Sequence, residues 1–292
     1  MLLFLVLIAV CASLQGQTLV DGISALDAGR LNEAESILSE IVRQQPDSAD
    51  ANLYLGLVRF RAGQSAAARP LLERAVGLAP ASGRAWKMLG IVTMSSGDLN
   101  GALPALDKAC EIAENDEEAC YFLARTLHTL GRYESARSPF EKALRAAPKQ
   151  MLAKVHRAVA LNFVALFLPL QAEQHFVKAI QTADKTSREG EDPRVDYGAF
   201  LFRQGRTAEA LRPLEQAARD APASPRANME LGRVLLHLDK TSEAATCLEK
   251  VVTLEPGNGN AHLLLGQVYL RLGKTSQGER EMRLGQDRWA GK

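Results

Sequence analysis

The chain has 292 residues, of which 47% are hydrophobic and 5% aromatic, enough apolar material for one or two folded domains. Its 35 basic residues nearly balance 34 acidic ones, so charge gives no reason to expect a nucleic acid or an anionic membrane as the partner. No stretch alternates apolar and polar residues as a β-strand does, and Ala is abundant. We therefore expect an all-α protein.

Residues 1–16 have the pattern of a secretory signal peptide. Residues 2–12 form an uncharged apolar run that is too short to span a bilayer, and small residues follow from Ala12 onward. We expect cleavage near residue 16 and an extracytoplasmic mature chain, periplasmic or secreted, that is not inserted in a membrane. Lipid anchoring through Cys11 is disfavoured because Val10, which precedes it, is not small.

Small residues recur every 34 positions along the rest of the chain, with extra spacings of two and four residues on either side of Ala172. The first series is Ala34, Ala68, Ala102, Ala136, Ala172, Ala210, Ala244 and Gly278. Twelve residues before these lie Gly22, Gly56, Gly90, Ala124, Ala160, Gly198, Gly232 and Gly266. Four residues after the first series lie Leu38, Leu72, Leu106, Phe140, Phe176, Leu214, Leu248 and Met282.

This arrangement predicts two antiparallel helices in each unit. The two small residues mark close approaches of the backbones, and the large residue fills the space beside them. A further Gly marks the predicted turn in six units, at Gly29, Gly63, Gly97, Gly131, Gly205 and Gly273. Pro closes five units, at Pro46, Pro80, Pro148, Pro222 and Pro256.

These residues resemble the tetratricopeptide repeat, whose pattern is W-x₂-L-G-x₂-Y, then A-x₃-F, then P. The third unit is the most similar, with Trp86, Leu89, Gly90, Ala102 and Leu106. The resemblance implies a right-handed α-solenoid of eight helix-turn-helix units over residues 17–292, because no unit buries its apolar face alone. The expected units are 15–48, 49–82, 83–116, 117–150, 153–186, 191–224, 225–258 and 259–292.

No residue pattern points to catalysis, a cofactor or a metal. The sequence holds no phosphate loop, nucleophile motif or pair of His at metal-binding spacing, so we expect no enzymatic activity. Cys110 and Cys120 lie close enough in sequence to pair across a helical hairpin. Small buried thiols are the interpretation we favour for both, as for Cys247.

Members of this family bind partners on a concave surface formed by the first helix of each unit. Here the corresponding stripe is apolar, with basic side chains and no acid, and includes Phe202 and Leu236. The expected contact residues are Tyr54, Lys87, Met88, Tyr121, Phe122, Arg125, His128, Arg157 and Arg233. Such a groove suits a protein or peptide with apolar anchors and acidic groups. In the alternative interpretation, the basic stems merely cover the inner wall.

The fifth unit departs from the pattern. Phe167 replaces the turn Gly and is followed by Leu168 and Pro169, and an extra segment lies at residues 187–190. These insertions either pack on one another or leave Phe167 and Leu168 as an apolar contact surface for a partner or a second copy of the chain.

The sequence as a whole predicts a non-enzymatic extracytoplasmic scaffold that binds proteins or peptides in its groove. An alternative is a cell-envelope assembly or polysaccharide-export scaffold that uses its edges or the fifth-unit surface. A glycan-binding module is the weaker alternative, because it needs exposed Trp platforms and Trp86 falls at a core position of the repeat.

Overall fold

The computed structural model describes residues 18–112, 117–184 and 192–289. Over these ranges the chain is helical without β-strands, which confirms the all-α class. The helices are α1 Leu19–Asp27, α2 Leu31–Gln44, α3 Ala49–Arg61, α4 Ser65–Leu78, α5 Gly83–Ser95, α6 Leu99–Ile112, α7 Glu117–Thr129, α8 Arg137–Ala146, α9 Lys149–Ala165, α10 Pro169–Thr182, α11 Pro193–Arg203, α12 Thr207–Asp220, α13 Pro225–His237, α14 Thr241–Leu254, α15 Gly259–Arg271 and α16 Thr275–Trp289.

Two segments considered above lie outside the described residues: the predicted signal peptide at 1–16 and the extra segment at 187–190. Among the helices of the described ranges, none combines the length and the apolar character that crossing a bilayer requires.

The chain divides into two compact parts, an N-terminal part ending at Ala146 and a C-terminal part beginning at Ala147. Within each part, every odd-numbered helix packs against the even-numbered helix that follows it, and successive hairpins stack on one another. This is the predicted α-solenoid arrangement. The fifth hairpin starts earlier than expected, since α9 begins at Lys149 rather than near residue 153.

The turn inside each hairpin requires a left-handed backbone. All six predicted turn glycines have φ between 74° and 87°. The fifth and seventh hairpins place Phe167 and Asp239 there, with φ of 57° and 59°. A side chain in this region is disfavoured by about 1–2 kcal/mol relative to Gly, because Cβ crowds the carbonyl oxygen.

The small residues lie where the two helices of a hairpin come closest, as predicted. A Cβ added to Gly90 would stand 2.5 Å from the Cγ of Leu106, which is fully buried in the facing helix. The equivalent Gly198 would meet Leu214 at 2.4 Å. Neither position has room for a methyl group unless the Leu side chain moves.

We expect Gly90→Ala to lower the free energy of unfolding by about 1–3 kcal/mol, the usual effect of overpacking a core. Gly77→Ala is the matched control, since Gly77 lies in helix α4 with no heavy atom within 4 Å of the added Cβ. There the better helix propensity of Ala should raise stability by up to about 1 kcal/mol. Urea denaturation followed by circular dichroism compares the two, and changes of the same sign would contradict the close-approach interpretation.

In five hairpins, the residue four positions before the first-helix Gly or Ala ties the hairpin to the preceding chain. At this tie position Asn52, Trp86 and Asn228 each donate a hydrogen bond of 2.9–3.0 Å to the carbonyl of the Pro six residues earlier. The His262 Nε2 atom lies 3.1 Å from the corresponding oxygen of Pro256. The tie therefore depends on a side-chain donor and not on one residue type.

Cys120 occupies the tie position of the fourth hairpin and is bonded to Cys110, with Cα atoms 4.7 Å apart. The interpretation of these two residues as free thiols was therefore wrong, because the tie position brings Cys120 back against the end of α6. Cys247 is a buried free thiol, as predicted, and burial raises its pKa.

Candidate functional site

The predicted contact residues of the N-terminal part differ widely in exposure. Met88 and Tyr121 are buried, and Tyr121 retains only 2% of its surface. Phe122 and His128 are partly buried, whereas Arg125 is exposed with its guanidinium carbon 5.5 Å from the Tyr121 ring centroid. Arg125 and the exposed edges of Phe122 and His128 are therefore the part of this set that is accessible to a partner.

Tyr54 is held by the next hairpin. Arg84 donates a hydrogen bond of 2.8 Å to the Tyr54 hydroxyl, and its guanidinium carbon lies 4.9 Å from the ring centroid. Both the polar end and one face of Tyr54 thus have an intramolecular partner.

Three of the predicted basic residues, Lys87, Arg157 and Arg233, contact carboxylates of the chain itself. Lys87 Nζ lies 3.1 Å from Glu118 in the next hairpin, and Arg233 donates to Glu230 of its own helix at 3.2 Å. The Lys87 side chain is only 13% exposed. A partner's carboxylate would have to compete with Glu118 for the Lys87 ammonium group.

Arg157 belongs to a buried ion cluster. Its guanidinium contacts the carboxylate of Asp196, which Arg226 contacts from the other side. The Asp196 side chain is 5% exposed and the Arg157 side chain 15%. This cluster connects three successive hairpins, so Arg157 has a structural role whether or not a partner binds.

A depression of about 290 Å³ opens in the C-terminal part, near the C-terminal ends of α11, α13 and α15. We call it the basic-rimmed pocket; it is lined by Phe202, Arg233, Leu236, His237, Leu264 and Arg271. Leu236 is buried, Phe202 and Leu264 are partly buried, and His237 and Arg271 are exposed. The pocket therefore has an apolar floor beneath a polar rim.

Two rim residues of the pocket, His237 and Arg271, contact other residues of the chain. The His237 ring meets Phe202 edge to face, with centroids 5.4 Å apart. Arg271 donates to the carbonyl oxygen of Leu236 at 3.3 Å, and its other contact, Asp239, has a 90% exposed side chain. An ion pair so exposed holds the guanidinium weakly. Because no carboxylate lines the pocket, its rim favours an acidic or hydrogen-bond-accepting group.

The sequence located only half of this pocket. Arg233 was a predicted contact residue, and Phe202 and Leu236 belonged to the predicted stripe, but His237, Leu264 and Arg271 were missed. For Arg271, a signal lies in the repeat register. Arg61 and Arg271 occupy the same position of two units, and each donates at 3.3 Å to a carbonyl 35 residues earlier.

The fifth-unit surface is exposed at one of its two predicted residues. The Phe167 side chain is 90% exposed, whereas Leu168 is partly buried. Leu170, which was not among the predicted contact residues, is 74% exposed. Phe167 and Leu170 are therefore the exposed large apolar side chains of residues 161–172.

The same hairpin contains a pair of half-buried histidines. Nδ1 of His156 lies 3.0 Å from Nδ1 of His175. Desolvation lowers the pKa of both, and that of His175 to about 4, with the His156 and Lys178 charges adding to the effect. Both shifts favour the neutral imidazole. Over the described ranges no three His, Cys, Asp or Glu side chains meet as potential metal ligands.

A tetratricopeptide repeat family profile matches residues 19–82, 57–117, 201–258 and 238–279. A second profile of the same description matches residues 93–161. Together they cover more than half of the chain. It belongs to the tetratricopeptide repeat family.

Several solved structures share the repeat fold. A chain of the APC/C hetero-tetramer Cut9–Hcn1 is 17% identical with a TM-score of 0.64, over 86% of this chain and 48% of that one. PilF of Pseudomonas aeruginosa is 18% identical with a TM-score of 0.61, over 76% and 97%. A MamA structure is 21% identical with a TM-score of 0.52, over 57% and 96%.

These likenesses concern the tetratricopeptide fold. The chain spans about half of the Cut9–Hcn1 chain that it resembles. No curated protein matches this chain significantly. Tetratricopeptide proteins are generally non-catalytic scaffolds for protein interactions, and the fold of this chain fits that general role.

Proposed function

We propose that this tetratricopeptide protein is a non-enzymatic scaffold that holds a protein partner through the basic-rimmed pocket of its C-terminal part. The partner contributes an apolar side chain to the floor and an acidic or carbonyl group to the rim. The observation that carries this proposal is the pocket itself, in which an apolar floor lies beneath Arg233, His237 and Arg271 with no lining carboxylate.

The apolar floor of the pocket supplies affinity, and its basic rim supplies specificity. Burying an apolar side chain against Phe202 and Leu264 is favourable by roughly 25 cal/mol per Å² of surface removed from water. A carboxylate bound by Arg271 gains a charge-assisted hydrogen bond of fixed geometry. Arg271 is suited to this role because its present acidic contact is exposed to water.

Only a part of the predicted groove in the N-terminal part is proposed as a contact surface. Arg125 and the exposed edges of Phe122 and His128 form a second contact for the same or another partner. Lys87 and Tyr54 support this role indirectly, because their contacts connect neighbouring hairpins of the N-terminal part. Arg157 connects hairpins in the same way within the C-terminal part.

We also propose that the mature chain is extracytoplasmic. The apolar run at residues 2–12 with small residues behind it supports secretion. The Cys110–Cys120 disulfide is in keeping with an oxidising compartment, because cytosolic thiols are kept reduced.

A displayed peptide library selected on the immobilised protein tests the pocket. We expect enriched peptides to carry an aromatic or aliphatic residue next to Asp, Glu or the terminal carboxylate. Arg271→Glu should weaken their binding about tenfold or more, since one charge-assisted hydrogen bond is replaced by a repulsion. Fluorescence anisotropy with a selected peptide measures the change.

Arg61→Glu is the matched control, because Arg61 occupies the same place in the second hairpin and makes the same carbonyl contact. It should leave peptide binding unchanged. Equal affinities of the natural protein and Arg271→Glu, or equal losses in both variants, would exclude the pocket as the binding site.

A further inference from the structure

The turn at Phe167 carries an aromatic ring where neither backbone nor burial favours one. Six hairpins have Gly at this position, and Phe167 has φ of 57° with 90% of its side chain exposed. A bulky residue with positive φ is a genuine outlier, and such outliers concentrate at binding and functional sites. The exposed Phe167 ring is therefore a candidate contact for a binding partner.

The ring stands on a rigid base. The Phe167 amide donates to the Val164 carbonyl at 3.1 Å and the Leu168 amide to the Phe163 carbonyl at 2.9 Å, which closes the end of α9. Helix α10 starts two residues later at Pro169. Because the turn is already ordered, inserting the ring into a pocket requires little further loss of backbone freedom.

The chemistry around the ring limits what it fits. Residues 161–172 contain no charged side chain, so contact there removes no ion from water. The face of the Phe167 ring carries the negative side of the aromatic quadrupole, which attracts cations. A complementary surface is an apolar cavity with a basic rim.

The same chain contains such a cavity. The basic-rimmed pocket is a depression of about 290 Å³ with an apolar floor. Its rim cations, Arg233 and Arg271, suit the face of an aromatic ring. Since the Phe167 ring is exposed, the chain's own pocket does not hold it.

We infer that the chain self-associates, with Phe167 of one copy inserted into the basic-rimmed pocket of a second copy. This inference rests on the proposed function, for which it names the partner. Phe167 follows the end of α9, and the pocket lies at the ends of α11, α13 and α15, the next three first helices. Ring and pocket therefore lie along one edge of the C-terminal part, so a two-fold pair makes the contact twice.

Sedimentation velocity over a range of protein concentrations tests the association. We expect a concentration-dependent dimer whose dissociation constant rises at least about tenfold in Phe167→Gly, because the anchoring ring is lost. This variant relieves the backbone and so should fold. Val20→Ala is the control, since it truncates another exposed apolar side chain, in the first hairpin, and should leave the dimer unchanged.

A photoreactive benzoylphenylalanine at position 167 identifies the surface that the ring enters. In a mixture of isotopically light and heavy copies, we expect covalent dimers whose cross-links join position 167 of one copy to residues 202–271 of the other, the range that contains the pocket. A natural protein that stays monomeric, a dimer that Phe167→Gly leaves intact, or cross-links outside this range would overturn the inference. Selected peptides that still depend on Arg271 would then leave the proposed function standing.

Discussion

Asp196→Ala is expected to lower the free energy of unfolding by about 2–4 kcal/mol. The Asp196 carboxylate is almost completely buried and contacts both Arg157 and Arg226. Removing one partner of a buried ion pair is strongly destabilising, because the remaining charge stays in a poorly solvated place. The effect should fall below the largest values known for such pairs, since the Arg226 side chain is 45% exposed to water. Urea denaturation of the natural protein and the variant measures it.

Asp47→Ala is the matched control for this prediction. Asp47 contacts Arg74 at 2.9 Å, but the side chains are 81% and 50% exposed. Exposed pairs contribute about 0–1 kcal/mol, so the control should change little. Asp196→Asn separates the two contributions of the carboxylate, since the amide retains one acceptor oxygen but carries no charge. If Asp196→Ala is as mild as Asp47→Ala, the cluster does not stabilise the fold.

Loss of the Cys110–Cys120 disulfide should destabilise the protein by roughly 3 kcal/mol. The two residues are separated by 10 positions in sequence, and the chain-entropy model assigns about this value to a loop of that length. The Cys110→Ala/Cys120→Ala variant should therefore unfold at lower urea concentration than the natural protein. Thermal unfolding followed by circular dichroism provides a second measurement.

A reducing agent supplies the internal control for the disulfide. Dithiothreitol should shift the unfolding midpoint of the natural protein toward that of the double variant and leave the variant unchanged. Cys247 contributes equally to both samples, since neither substitution alters it. A natural protein whose unfolding midpoint matches that of the double variant without reductant would contradict the stabilising role of the disulfide.

The sequence predicts the hairpins well because their geometry is repeated. Backbones that approach as closely as those at Gly90 tolerate only the smallest residues, so the requirement reappears every 34 positions. The turn imposes a second local requirement, a left-handed residue, which Gly meets in six units. Both requirements act within one hairpin and are visible without knowing how hairpins stack.

The contacts between hairpins were harder to predict. Glu118 lies 31 residues after its partner Lys87, and Asp196 lies 39 after Arg157. Such pairs depend on how the first helix of one hairpin is rotated relative to the first helix of the next. The stripe of residues predicted for each first helix carries no information about this rotation. The same rotation places Tyr121 in the core instead of on the surface.

Comparing equivalent positions of the repeat units would have helped to predict both the pocket and the disulfide. Arg271 shares its place in the repeat with Arg61, and Cys120 shares its place with Trp86, Asn52 and the other tie residues. Aligning the eight units by their small residues reveals both equivalences. The exposure of the Phe167 ring was left open, because nothing in the sequence decides whether an insertion folds back on itself.

The ion pairs between neighbouring hairpins restrict the order in which the repeats can follow one another. If the third hairpin were copied directly after itself, Arg84 would stand where Glu118 now meets Lys87, and two cations would face each other. A second fifth hairpin would likewise set Ala158 in the place of Asp196. The shared small residues hold each hairpin together, whereas the charges between hairpins match a hairpin to its neighbours. Duplication of a repeat in this protein would therefore yield a lengthened fold with a mismatch at the new junction.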